Sequence, residues 1–504
     1  MNAGRSAVLA IALLSLAAGA ALPAPGPIVR LETGQALGKR VGPALEFLGI
    51  PYAAPPLGPL RWEPPQPARP WAGVRDATQP APACLQQINA DGSPNEGFYS
   101  GPVSEDCLTL DVTAPPHARK APVMVWIFGG GDVAGATTLP SYDARNFARD
   151  GVVFVAMNYR LGALGFFAHP ALTAEAPKAQ PLANYGLMDQ VAALDWVRRN
   201  IARFGGDPAN VTIFGESAGG EDVLDLMAIP AARGLFQKAI VESGLGWEPA
   251  PSLHDWEAKG SALASRLGLP GASATAAQLR ALPASALAAA YAQVGGVVDG
   301  RLVIESSRDA FARSHEAAVP LIIGTNSNEA SILAAFGMKT SAFQAGAAPG
   351  VRAVYQGEGD AAEQGRRMFN DQLFAAPARW IAGQHARKAP AWLYYFSYLP
   401  TWQRGVRPGV NHATEIPFVF DSVDAVTFWD AHAKDPDRAE AAYVHSCWVA
   451  FARLGRPDCA GPPPWPAYDA NSDQLLDFDD PAQVRHHFRK AQLDAQQAAA
   501  GLSH

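Results

Sequence analysis

Residues 215–219 read Gly-Glu-Ser-Ala-Gly and place one serine, Ser217, between two glycines. An apolar, β-branched run, residues 211–214, precedes this motif, and a helix-compatible segment follows it. In a tight turn between a strand and a helix, the glycines remove Cβ atoms that would clash, and the serine hydroxyl stands above the edge of the sheet. The pattern predicts that Ser217 is a nucleophile, although a glycine-rich turn can contain these five letters by chance.

Acyl transfer at a serine also needs hydrogen-bond donors that face the developing oxyanion. Residues 128–131, Phe-Gly-Gly-Gly, directly follow an apolar run that reads as a buried strand. Successive glycine N–H groups carry no side chains that block access to them, and the N–H of Ala218 would complete the set. The alternative interpretation is a flexible glycine loop without a catalytic role.

The base of such a site should be a histidine, because its pKa of about 6.5 lets it take and return a proton near neutrality. Of the 11 histidines, His412 lies on a loop shortly after the last apolar strand run. The acid that orients the base should follow the preceding strand run, and Glu329 lies just beyond residues 319–323. The chain order is then serine, acid, histidine, which is the order in α/β-hydrolases.

The elements that must position these residues are short, continuous apolar runs separated by helical segments. Such runs are typical of strands covered on both faces, and their alternation with helices predicts a parallel α/β sheet. The clearest helix is predicted over residues 188–204, with Gly205 and Gly206 as its end. The predicted strands of the sheet are residues 123–128, 152–159, 211–214, 238–241, 319–324 and 392–397.

Two predominantly helical insertions interrupt this alternation, near residues 252–292 and 332–388. Insertions after sheet strands often build the cap over an active site. Additional strands are predicted at residues 28–34 and 46–53, and the chain from Arg485 onward is predicted to be a surface helix. Without an internal repeat or a low-complexity linker, residues 21–504 are interpreted as one catalytic domain.

Residues 1–20 have the features of an export signal: one cation at Arg5, a short apolar core and Ala-Gly-Ala at 18–20. We therefore expect a periplasmic or extracellular protein. No later stretch is apolar enough to suggest a membrane span. The net charge of −7, without clustered basic residues, argues against a nucleic-acid partner.

The chain has four cysteines, an even number that fits an oxidising compartment. Cys84 and Cys107 bracket a long loop, and a bridge between them would stabilise the fold by about 3 kcal/mol. Cys447 and Cys459 are predicted to form a second, shorter bridge. The rival interpretation, a metal site that includes His445 and Asp458, lacks zinc-like spacing.

Further motifs occur in a fixed order along the chain, at residues 47–53, 105–108, 158–162, 184–190, 204–208, 215–220, 324–326 with Glu329, and 412 with 415–420. Together they resemble the motifs of the type B carboxylesterases, the cholinesterase-like α/β-hydrolases, over nearly the whole chain after residue 20. The resemblance implies a nucleophile at Ser217, an acid at Glu329 and a base at His412. It also implies oxyanion donors at Gly130, Gly131 and Ala218 and a bridge between Cys84 and Cys107. For Glu216 it suggests a supporting role near the histidine, and for Ser243 a brace on Glu329, with ordinary structural hydrogen bonds as the alternative.

The chain departs from the family pattern around the glycine loop. Phe128 stands where the family often has histidine or tyrosine, and Asp132 replaces an aromatic residue. Two further acids, Glu221 and Asp222, follow the serine motif. These three acids either bias the pocket toward polar or cationic substrates or face solvent.

The sequence thus predicts a serine carboxylic-ester hydrolase that acts on a small ester and needs no metal or organic cofactor. One alternative is a binding or adhesion module, since relatives of this fold include such proteins and a fold does not guarantee a function. The other alternative retains the chemistry on another substrate, as in a lipase, an amidase or a carbamate hydrolase.

Overall fold

The computed structural model describes residues 26–95, 97–290, 295–334, 337–425 and 433–502. The predicted export signal, residues 1–20, lies outside the described residues. Within the described ranges, no helix combines the length and the apolar character that crossing a membrane would require.

The strands of the described residues, β1 to β16 in chain order, are Ile28–Arg30, Gln35–Leu37, Lys39–Val41, Ala44–Pro51, Val74–Asp76, Ala83–Cys84, Val103–Ser104, Thr109–Ala114, Ala121–Ile127, Val153–Met157, Gly206–Glu216, Lys238–Glu242, Leu321–Asn326, Ala391–Phe396, Gln474–Phe478 and Gln483–His486.

The α-helices, α1 to α16 in chain order, are Arg145–Arg149, Gly162–Gly165, Pro170–Glu175, Tyr185–Asn200, Ala218–Ala228, Leu253–Arg266, Ala276–Arg280, Ala284–Ala288, Ser307–Ala312, Thr340–Gly346, Pro349–Val354, Ala361–Asn370, Ala376–His385, Ile416–Val419, Asp435–Leu454 and Lys490–Ala499. Shorter 3-10 turns are Gly58–Leu60, Pro140–Tyr142, Ile201–Phe204, Pro230–Ala232, Gly271–Ser273 and Glu329–Ala334, and Asp371–Ala375 is π-helical.

The central sheet has eleven strands among the described residues, in the order β16-β15-β14-β13-β12-β11-β9-β10-β8-β4-β3. The seven strands from β15 to β10 run parallel, and antiparallel strands close both edges. Each of the six predicted sheet strands is present, with shifted ends. The predicted fold class, a mostly parallel sheet flanked by helices, is confirmed.

The carboxyl ends of the central strands lie together at one edge of the sheet. Glu216 on β11 is in register with Glu242 on β12, and Glu242 with Gly324 on β13. Because these strands are parallel, the residues that follow them leave the sheet side by side. Ser217 and Ser243 therefore begin their loops as neighbours, at the edge where α/β sheets bind ligands.

Helix α4 packs against the sheet at β11. It is predicted over 188–204 and spans Tyr185–Asn200, followed by a 3-10 turn that ends at Gly205 with φ of +83°. The apolar residues at helical spacing, such as Leu194 and Val197, are fully buried. The left-handed conformation of Gly205 stops the helix where the sequence predicts.

The two predicted insertions contain helices. The structure has α6 to α8 within the first and α10 to α13 within the second. Residues 291, 292, 335 and 336 of these insertions lie outside the described residues. The interpretation of residues 21–504 as one domain stays a prediction.

The prediction for the C-terminal tail is wrong at its start. Arg485 and His486 belong to β16, which pairs antiparallel with β15, and the helix begins only at Lys490. The open edge of β15 offers backbone partners, so a polar segment forms a strand there. Leu493 on the helix is buried, so the helix packs against the protein.

Both predicted disulfides are present. Cys84 is bonded to Cys107, 23 residues away, and Cys447 is bonded to Cys459, 12 residues away. The second pair is therefore a covalent clip rather than part of a metal site.

We predict that the double variant Cys84→Ser, Cys107→Ser lowers the free energy of unfolding by about 3 kcal/mol, since the bridge restricts the unfolded chain. Urea denaturation measures this change. The variant Cys447→Ser, Cys459→Ser serves as the comparison. Its free energy of unfolding should fall by less, because the bond that it removes closes a shorter loop. A larger loss from the second pair would contradict this explanation.

Candidate active site

Ser217 lies in a sharp turn between β11 and α5, with φ of +58° and ψ of −125°. Its N–H donates to the Glu242 carbonyl at 2.9 Å. A Cβ on Gly219 would come within 2.1 Å of the Ile127 carbonyl oxygen, and one on Gly215 within 2.4 Å of the Gly219 carbonyl oxygen. Only glycines fit this turn, which presents the serine hydroxyl at the edge of the sheet.

His412 connects the serine to Glu329. Its Nε2 lies 2.8 Å from Ser217 Oγ, and its Nδ1 lies 2.5 Å from Glu329 Oε2. The backbone N–H of His412 donates to Ser331 Oγ at 3.0 Å, which fixes the loop that carries the ring. Three residues predicted from separate parts of the sequence thus form one hydrogen-bonded line.

The carboxylate of Glu329 is fully buried and surrounded by donors. Its Oε1 accepts hydrogen bonds from Thr325 Oγ1 at 2.7 Å and from the N–H of Asn326 at 2.6 Å. Ser243 Oγ, at the end of β12, donates to the same oxygen at 2.6 Å. The contact predicted between Ser243 and Glu329 is thus present, and the other carboxylate oxygen faces His412.

The glycine loop lies against the serine turn. A Cβ on Gly129 would be 2.4 Å from the Glu216 carbonyl oxygen and 3.0 Å from Ser217 Cβ. Gly130 and Gly131 have φ of +101° and +62°, conformations that favour glycine. Among the described residues, neither of their N–H groups has an acceptor within the protein.

Ala218 supplies a further donor at this position. It is the first residue of α5, so its N–H has no partner within the helix, and the positive end of the helix dipole adds to its effect. The arrangement of Gly130, Gly131 and Ala218 suits an oxyanion beside Ser217 Oγ.

Glu216 gives the site a second negative charge. Its Oε1 lies 3.2 Å from His412 Nε2, and the side chain is almost fully buried. Burial by itself lowers the pKa of His412, but the charges of Glu216 and Glu329 outweigh this effect and raise the pKa of the imidazole above its usual value. Burial in turn raises the pKa of Glu216 to about 7.

The three acids near the glycine loop do not face solvent freely. Asp132 and Asp222 are buried, and Glu221 is half-buried. Burial raises the pKa of Asp132 to about 7 and that of Glu221 to about 8, and it holds the pKa of Asp222 well above its usual range. Burial therefore disfavours the charged form of all three acids, which weakens the case that they attract a cationic substrate.

Several residues that contact the site were not predicted. Asn370 accepts the N–H of Glu329, and the ring of Phe374 lies 5.5 Å from the His412 ring. Asn326 Nδ2 donates to the Asn411 carbonyl at 3.0 Å and to Glu415. Asn411 and Glu415 stand in the run Asn-His-Ala-Thr-Glu around His412, so the sequence contains a signal that they lie near the site. No local pattern points to Asn370 or Phe374.

The sheet, its order of strands and the residues at its carboxyl edge define an α/β-hydrolase. Solved esterase structures share this fold: a PNB esterase superposes with a TM-score of 0.81 at 30% identity, covering 92% of this chain and 99% of that one. The carboxylesterase EST55 of Geobacillus stearothermophilus gives a TM-score of 0.82 at 29% identity, over 93% and 100% of the two chains.

The chain belongs to the carboxylesterase family, whose model matches residues 25–348 and 351–496. It is similar to the cocaine esterase of Homo sapiens, with 35% identity over 94% of this chain and 92% of the relative. It is also similar to the fumonisin B1 esterase of Sphingopyxis macrogoltabida, with 35% identity over 85% of this chain and 82% of the relative. The protein is therefore a carboxylic ester hydrolase.

We predict that Glu216→Gln moves the rise of kcat/KM with pH to lower pH. If His412 is the base, as the sequence predicts, only its neutral imidazole accepts a proton, and kcat/KM rises as His412 loses its proton. The charge of Glu216 delays that loss. The midpoint of this rise should fall by about half a pH unit or more.

Glu221→Gln is the matched control, because Glu221 is another acid near the serine turn that does not contact His412. Its pH profile should keep the wild-type midpoint. An unchanged midpoint in Glu216→Gln would show that Glu216 does not control the charge of the histidine.

Proposed function

We propose that the protein hydrolyses esters through an acyl-enzyme formed on Ser217, with His412 as general base and Glu329 as the acid that orients it. The observation that carries this proposal is the unbroken line of hydrogen bonds from Ser217 Oγ through His412 to the buried Glu329. Each contact is within the distance over which a proton can be transferred or an imidazole oriented.

In the first step, Ser217 Oγ attacks the ester carbonyl carbon while His412 Nε2 takes the hydroxyl proton. The carbonyl oxygen becomes an oxyanion and accepts hydrogen bonds from the N–H groups of Gly130, Gly131 and Ala218. The C–O bond to the alcohol then breaks, and His412 returns its proton to the departing alkoxide oxygen. The serine remains esterified.

In the second step, water replaces the alcohol. His412 takes a proton from the water, the resulting hydroxide attacks the acyl carbon, and a second oxyanion forms in the same place. The bond to Ser217 Oγ breaks as His412 returns the proton to it, and the carboxylic acid leaves. Throughout, Glu329 accepts the hydrogen bond from Nδ1 and stabilises the positive charge on the imidazole.

The two alternative functions, a binding module and a hydrolase with another substrate, differ in whether they require the triad. A binding or adhesion module needs no aligned serine, histidine and acid, whereas all three are present here and in contact. A lipase, amidase or carbamate hydrolase would use the same residues, so the triad does not select among these substrates. The similar proteins are named for different esters, and a panel of esters that varies the acyl and the alcohol parts separately addresses this question.

We predict that Ser217→Ala lowers kcat for a short p-nitrophenyl ester by about 10⁴-fold or more and leaves the fold intact, since the nucleophile is removed while the sheet is unchanged. Stopped-flow or steady-state hydrolysis and circular dichroism measure both properties. Ser261→Ala, on the outer helix α6, is the control with wild-type turnover. Retained turnover in Ser217→Ala would refute the mechanism.

We also propose that the protein is exported. The signal-like residues 1–20 support this proposal, and so do the two disulfides, because such bonds persist in oxidising compartments. In a bacterial host, the full chain should yield esterase activity in the periplasm or the medium, with a mature N-terminus after Ala20. The variant Leu13→Arg, Leu14→Arg breaks the apolar core and should remain inside the cell, and export of this variant would count against the proposal.

A further inference from the structure

Asn370, the last residue of α12, contacts the triad acid from the second insertion. Its Oδ1 accepts the backbone N–H of Glu329 at 2.7 Å, and both residues are buried. The two residues are 41 positions apart in the chain. The contact therefore joins the insertion to the loop that carries the acid.

This hydrogen bond holds the backbone of Glu329, whereas residues at the ends of the strands hold its carboxylate. The carboxylate is held by Ser243, Thr325 and the N–H of Asn326, all of them at the ends of β12 and β13. The backbone N–H of Glu329 starts the 3-10 turn Glu329–Ala334 and has no acceptor within that turn. With Asn370 in place, both the main chain and the carboxylate of the acid are fixed relative to His412.

The position of Asn370 is in turn held by an ion pair next to it. Asp371 is almost fully buried and accepts hydrogen bonds from Arg489 at 2.7 Å and from Tyr355 at 2.7 Å. Arg489 directly precedes the C-terminal helix α16, and Gln496 of that helix donates to the Tyr355 hydroxyl at 3.1 Å. The C-terminal helix thus anchors the start of the π-helical turn.

The same turn reaches the catalytic base. Four residues after Asn370, the ring of Phe374 packs against His412 with an interplanar angle of 58°. A π-helical turn rotates the residues that follow it relative to a regular helix, and such turns are frequent at functional sites. Asn370, directly before the turn, thus contacts the acid, and Phe374, within the turn, contacts the base.

We propose that Asn370 is a positioning residue for Glu329 and that Arg489 holds Asn370 in place through Asp371. The proposal rests on the role of Glu329 in the proposed mechanism. Asn370 does not contact the substrate or the reacting atoms; it acts through the acid.

The first experiment compares Asn370→Leu, which removes the acceptor at similar volume, with Asn370→Asp, which keeps it. Asn370→Leu should lower kcat about 10- to 100-fold with KM within about threefold of wild type, because a misplaced acid misaligns the base. The midpoint of the pH profile of kcat/KM should also fall, since the Glu329 charge is held less well against His412. Asn370→Asp should retain kcat within about threefold of wild type.

Asn200→Leu is the matched control, because Asn200 is also buried and its Oδ1 accepts the backbone N–H of Glu32 at 3.2 Å, a contact that involves no residue of the triad. It should lower the melting temperature without moving kcat or the pH midpoint. Asn370→Ala is measured alongside in case the leucine variant does not fold. Equal kcat losses in the leucine variants at 200 and 370, or in Asn370→Leu and Asn370→Asp, would overturn the proposal.

The second experiment is a double-mutant cycle of Arg489→Met with Asn370→Leu. Arg489→Met alone should lower kcat about threefold to tenfold, and it should add nothing when Asn370 is already replaced, because both act through one contact. Additive losses would overturn the role of Arg489.

Glu329→Gln separates this proposal from the mechanism on which it rests. If Glu329→Gln keeps wild-type turnover, the triad assignment itself is wrong. If Glu329→Gln loses activity while Asn370→Leu does not, only the role of Asn370 is overturned.

Discussion

The site depends on the full burial of the Glu329 carboxylate. A buried carboxylate is costly unless hydrogen-bond donors compensate it. Here the side chains of Ser243 and Thr325, one backbone N–H and the His412 ring supply the donors. Because these donors follow neighbouring parallel strands, the order of strands in the sheet determines where the acid can be placed, and the acid then determines the orientation of the base.

A second constraint is steric and acts on the nucleophile. The glycine loop passes so close to the serine turn that a methyl group on Gly129 would overlap the Glu216 carbonyl. A methyl group on Gly219 would likewise overlap the carbonyl of Ile127, at the end of β9. This close approach brings the N–H groups after β9 beside the N–H at the start of α5. The proposed donors for the oxyanion therefore follow from the packing of two strand ends and need no polar side chain.

The sequence was informative where local chemistry and local structure coincide. Ser217, Glu329 and His412 each follow a short apolar run, so the strand pattern and the residue type together predicted both the fold class and the three residues. Asn370 could not be predicted in this way, because its contact depends on how an insertion folds back over 41 residues. The tail from Arg485 was misread for a related reason: the partner that makes it a strand is β15, and the residues of the tail do not reveal that pairing.

The acids around His412 stabilise its protonated form at the expense of its neutral form, and this has two opposite effects on the proposed reaction. In the proposed mechanism, negative charge from Glu216 and Glu329 stabilises the imidazolium that forms in the transition state. The same charge raises the pKa of the free imidazole and reduces the fraction that can accept a proton. Burial moderates this conflict, because it raises the pKa of Glu216 to about 7. Glu216 is therefore charged mainly above neutrality, in the range where His412 is deprotonating and the charge can assist catalysis. Below neutrality Glu216 is mainly protonated and has little effect on the pKa of His412. Its charge therefore assists the proposed reaction at high pH without further lowering the fraction of neutral imidazole at low pH.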